Sequence, residues 1–137
     1  MKKCFSQRVA VLRRFAPLLG ACMLMATTLF GQTPAIEGDW LGTLNIQSTS
    51  LRMVFHISRT SDGASIASLD SPDQGAYGLA IDSVIVEGRN IRLPSSLLRG
   101  EFSGTIQPDY TTIEGTWSQS GTTVPIQLSR IYEEISQ

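Results

Sequence analysis

After Pro34 the hydrophobic positions recur every second residue, which is the period of a strand whose one face is buried. Ile36, Trp40, Leu44 and Ile46 share one parity, with Gly38 and Gly42 between them. Leu51, Met53, Phe55 and Ile57 share a face opposite Arg52, His56 and Ser58. Ser61-Asp62-Gly63 then marks a tight hairpin turn, its glycine supplying the positive φ such turns need. A less regular strand is predicted over residues 64–70 and another over 79–86, where parity shifts near Ser83-Val84 as a bulge would cause. Glu87-Gly88-Arg89-Asn90 turns the chain into a short strand at residues 91–93. Leu98, Phe102 and Ile106 form the next face, Ile113, Gly115 and Trp117 another, and Val124, Ile126 and Leu128 the last. No window of 12 residues carries an amphipathic helix. Eight short strands with regular turns predict an all-β fold, an eight-stranded antiparallel meander barrel. Pro125 suits only an edge, a bulge or a strand start, so closure is expected to be imperfect near the last strand. A two-sheet sandwich has the same period.

A short pattern recurs. Ile36-Glu37-Gly38-Asp39-Trp40 is echoed by Ile113-Glu114-Gly115-Thr116-Trp117, and Gly38-x-Trp40 by Gly100-x-Phe102. Glycine in a strand permits strong coiling and close approach of a neighbouring ring. Barrel geometry alone accounts for the echo.

Charge divides the chain. Lys2, Lys3, Arg8, Arg13 and Arg14 precede an uncharged apolar stretch over residues 15–30. This order reads as a signal peptide over residues 1–31, followed by a single domain over 32–137 in a secreted or periplasmic protein. The stretch is short for a spanning helix, which needs roughly 20 residues; if uncleaved, it is the one membrane contact expected. Leu19-Gly20-Ala21-Cys22 also resembles a lipobox, with Cys22 as the lipid acceptor. Removing the leader leaves six of the 11 basic residues against all 12 acidic ones, so the net charge falls from −1 to −6. That argues against nucleic acid as a partner. Both cysteines, Cys4 and Cys22, belong to the leader, so neither a disulfide nor a thiolate metal site is expected in the domain.

Gly38-x-Trp40 looks like the first strand of lipocalin-type barrels. A longer likeness runs through Glu37-Gly38-Asp39-Trp40-x-Gly42-x-Leu44 and residues 51–57. It continues in Asp70-Ser71-Pro72-Asp73-Gln74-Gly75, residues 113–119, and Pro125-Ile126-x-Leu128-x-Arg130. In this order the chain resembles the non-catalytic β-domain that precedes the catalytic domain of certain secreted bacterial α/β-hydrolases. The resemblance implies an accessory or interaction module with a hydrolase as partner. It transfers no catalytic residue, because only residues 131–137 follow the final motif.

Enzyme chemistry finds little footing. There is no Gly-x-Ser-x-Gly elbow, no phosphate loop or dinucleotide fingerprint, and no lysine beyond the leader. The one histidine, His56, falls mid-strand on the solvent face. No catalysis, cofactor or metal is expected. Two sets of residues remain as candidates for binding. Trp40, Leu44, Phe55, Phe102 and Trp117 face inward; they either fill the barrel or line a cavity for a small apolar ligand, and Gly42, Gly104 and Gly115 on the same faces leave room for one. Asp70, Ser71, Pro72, Asp73, Gln74 and Gly75 form a turn that either contacts a partner or satisfies its own amides.

Overall fold

A computed structural model describes residues 35–132. The predicted leader with Cys4 and Cys22 lies outside the described residues. The described chain is all-β, with nine strands: β1 (Gly38–Ile46), β2 (Thr49–Arg59), β3 (Ser65–Ser71), β4 (Ala76–Ala80), β5 (Ile85–Glu87), β6 (Asn90–Ser95), β7 (Gly100–Ile106), β8 (Thr112–Gln119) and β9 (Thr122–Ile131). A single 3-10 turn, Pro72–Gln74, joins β3 to β4. Every pairing is antiparallel, and the sheet order is β4-β3-β2-β1-β9-β8-β7-β6-β5.

The strand count corrects the expectation of eight. Residues 79–86, expected as one strand, divide between β4 and β5. Tracing the antiparallel partners outward from β1 gives β4 and β5 the same direction, so the chain does not reverse between them. The chain keeps one direction while it pairs first with β3 and then, past residues 81–84 outside any strand, with β6. The break in the ladder therefore lies here and not at the last strand. It is crossed by isolated bonds: Asp82 N–H donates to Pro94 O at 2.8 Å and Ser95 Oγ donates to Ala80 O at 2.7 Å. The register irregularity predicted near Ser83-Val84 occurs between Leu69 and Ser71 instead. Pro125 is exposed opposite Thr116 on β8. It lies beyond the part of β9 paired with β1, which ends at Ser129, so its missing N–H interrupts no β1 ladder.

The sheet curls over its own apolar face. Phe55 on β2 and Phe102 on β7 are four strands apart in the order, roughly 19 Å on a flat sheet at about 4.8 Å per strand. Their ring centroids are 5.5 Å apart, and Phe55 to Trp117 is 6.3 Å. The alternation of the sequence becomes the core: Trp40, Phe55, Leu69, Ile91, Leu93, Phe102, Ile106, Ile113 and Leu128 are almost wholly buried.

Glycines permit the tight curl. Gly104 and Gly115 face each other across β7 and β8. A Cβ on Gly115 would collide with Ser103 O and lie 2.7 Å from Gly104 Cα. One on Gly42 would meet Leu128 and Ile126 side chains within 2.8 Å. These glycines therefore do not leave interior space; neighbouring strands occupy it.

Candidate ligand site

The five inward residues from the sequence, Trp40, Leu44, Phe55, Phe102 and Trp117, are all buried. They do not act as one lining. Phe55 and Phe102 pack in the middle of the fold, with Trp117 against Phe55. Trp40, near the start of β1, belongs to a closed end. Its indole N–H donates to Ile36 O at 3.0 Å, and the Arg130 guanidinium lies 4.3 Å from its ring centroid. Arg130 also donates to the carbonyls of Tyr110, Glu37 and Ala35. One cation thus ties separate backbone segments together across the indole.

Leu44 and Trp117 line a cavity of about 220 Å³ toward the other end of β1. Leu51, Met53, Leu69 and Leu79 add apolar wall, while Ser71, Gln74 and Gln119 add uncharged polar groups. Among the described residues no charged side chain lines it. A cavity of about 150 Å³ with apolar walls admits benzene, so this one has room for a substituted ring. Ile46, expected inside, stands 40% exposed at its edge, where β1 ends. Wider hollows occur on the outer surface, one along β1 and β9 by Thr43 and Pro125 and one by Asp82 and Arg99.

The Asp70–Gly75 turn is spent largely on its own neighbours. The Asp73 carboxylate accepts from the Arg52 backbone N–H at 2.7 Å and from its guanidinium at 2.9 Å. The guanidinium first, and then the backbone N–H, hold the Asp73 carboxyl below its ordinary pKa. Ser71, buried, donates through Oγ to Gln74 Oε1 at 2.9 Å. Pro72 opens the 3-10 turn, and Gly75 closes it with φ 63° and its N–H on Pro72 O. Ser71 and Gln74 thus stand in the cavity wall, not on a separate loop surface.

His56 is on the outer face, as its parity predicts, but it is not a free solvent residue. Nδ1 lies 2.7 Å from Asp39 Oδ1 on β1, and Nε2 lies 2.8 Å from Asp70 Oδ2 on β3. Carboxylates only accept, so both contacts are hydrogen bonds when the ring is the doubly protonated imidazolium. Partial burial opposes that charge, but the bonds to Asp39 and Asp70 outweigh it and raise the His56 pKa. Asp70 is held below its ordinary value first by the Gly78 backbone N–H, against some desolvation, and then by His56. Neither ring nitrogen is left to activate a nucleophile while these bonds hold.

Sequence reasoning misses Leu69, Leu79 and Gln119 as parts of one site. Gln119 lies between the faces read at Trp117 and Val124, yet its Nε2 donates to Leu98 O, 21 positions away, and its Oε1 accepts from the Trp117 indole N–H. No local pattern signals such a pairing. Among the described residues no group of three or more His, Cys, Asp or Glu side chains is placed to hold a metal ion. No helix among them is long and apolar enough to cross a membrane. Compared with known protein families the chain matches none, and no curated protein matches it.

Proposed function

We propose that this domain is a non-catalytic binding module, and that it takes a small apolar molecule into the cavity bounded by Leu44, Met53, Leu69 and Trp117. The observation that carries the reading is that cavity: a space of about 220 Å³, walled by apolar side chains together with Ser71, Gln74 and Gln119, beside a packed aromatic centre. It corresponds to a lipocalin-like barrel whose deep interior is filled and whose ligand space is confined to one end. On this reading the protein works outside the cytoplasm, delivered by the leader over residues 1–31. Trp117 lines the site and provides its own probe. Titration with toluene should change Trp117 emission and shift the Met53 methyl resonance. Leu44→Phe, which fills the space, should abolish both changes while circular dichroism stays that of the native sheet. A folded protein whose Trp117 and Met53 signals never respond would overturn the proposal.

The resemblance to a hydrolase-associated β-domain supports a second reading, an accessory module docking onto an α/β-hydrolase. One observation favours it: the Ser71–Gly75 stretch that most distinguishes the resemblance stands beside the open end. Recovery of a hydrolase with the protein from its native secretome, lost on replacing residues 72–75, is the expected result.

A further inference from the structure

We infer that the cavity selects an uncharged molecule bearing one hydroxyl group, a small phenol or alcohol, in preference to a plain hydrocarbon or an acid. This inference rests on the binding reading above and adds the chemistry of the ligand. The cavity is lined by Leu44, Met53, Leu69 and Trp117, and its polar side chains are Ser71, Gln74 and Gln119. Gln119 is held by two bonds, its carbonyl accepting from Trp117 and its amide donating to Leu98, which leaves it one lone pair and one N–H. Ser71 and Gln74 differ. The Ser71 hydroxyl, on a residue only 4% exposed, gives its proton to Gln74 Oε1. Its oxygen lone pairs then remain as acceptors. The Gln74 Nε2 carries two N–H donors that no side-chain hydrogen bond among the described residues uses, beside the Oε1 that Ser71 holds. An acceptor on the buried Ser71 and donors on the solvent-exposed Gln74 therefore sit on two bonded neighbours in the lining. A hydroxyl group matches both, donating to Ser71 Oγ and accepting from Gln74 Nε2. A hydrocarbon uses neither. A carboxylate finds no cation in the lining and would lose hydration without a charged partner.

The test compares three ligands of one shape, toluene, p-cresol and p-toluate, by calorimetry and by Trp117 emission. The wild-type protein should bind p-cresol at least as tightly as toluene, and p-toluate about a hundredfold more weakly. Ser71→Ala should lower the affinity for p-cresol by roughly tenfold and leave toluene unchanged. Gln74→Leu should act in the same direction, and it leaves the buried Ser71 in place should the alanine variant fail to fold. If toluene binds while p-cresol is tenfold weaker in the wild type, the hydroxyl preference is overturned and the apolar cavity stands. The preference is equally overturned if folded variants leave the cresol-to-toluene ratio unchanged, or if p-toluate binds best. If none of the three binds, the binding reading itself fails.

Discussion

Replacing Trp40 with alanine should come close to unfolding the domain. Trp40 is fully buried, its indole N–H bonds to Ile36 O, and the Arg130 guanidinium lies on its face. Truncating a buried Trp to Ala costs about 3–5 kcal/mol through lost burial and the cavity left behind. Loss of the cation–π contact adds roughly 1 kcal/mol. The sum of about 4–6 kcal/mol compares with a whole-domain stability of about 5–15 kcal/mol. Trp40→Phe separates the contributions. It keeps a ring under Arg130 but leaves Ile36 O without its donor, and should cost about 1–2 kcal/mol. Urea unfolding followed by circular dichroism gives both values. Because the chain has two tryptophans, the remaining Trp117 reports independently on the far side of the core. Coincident transitions by the two probes would justify a single free energy. A loss under about 1 kcal/mol for Trp40→Ala would refute the argument, since it would place the indole outside the packed end. Equal losses for both variants would refute the division between ring and hydrogen bond.

Other expectations follow from the same geometry. Gly115→Ala drives a Cβ into the Ser103 carbonyl, a backbone atom that cannot rotate away; it should cost at least about 2 kcal/mol, read as a fall in Tm of roughly 8 °C or more. Gly63→Ala, where nothing lies within 4 Å, should cost much less, through its positive φ alone. Arg130→Lys keeps the charge but loses the planar fork that reaches the Ala35, Glu37 and Tyr110 carbonyls, and a loss of about 2 kcal/mol in urea is expected. Because the folded pKa of His56 is raised, its contribution is full below about pH 6.5 and disappears as pH rises through the folded value. Asp70, whose folded pKa is lowered, contributes above about pH 3.9 and loses that contribution as pH falls through its folded value. Urea midpoints between pH 5 and 9 should therefore decline on the alkaline side for the wild type and show a flatter profile for His56→Gln.

The alternation of apolar residues determined the fold class and the inward set. Trp40, Phe55, Phe102 and Trp117 are buried where period two places them, because one face of each strand must leave water. The hairpin at Ser61-Asp62-Gly63 was equally legible, since φ 90° at Gly63 is a local demand that glycine meets. The seam between β4 and β5 was not legible. Residues 76–87 run in one direction as two strands, and which neighbour each pairs with depends on how far the sheet has curled when it returns.

The same holds for the site. Parity places Leu44 and Trp117 on the inward face, but it does not say that Phe55 and Phe102 meet and fill the centre, leaving space at one end only. The glycines at 42, 104 and 115 look like gaps in the sequence and are points where strands touch. His56 lies on the outer face that its parity predicts, yet its carboxylate partners come from strands on either side, 17 and 14 residues away in sequence. Which side chains leave water is legible along the chain, because alternation is a property of each strand alone. Which of them meet, and where a cavity of about 220 Å³ persists, follows from the folded sheet, because curling and contact belong to all its strands together.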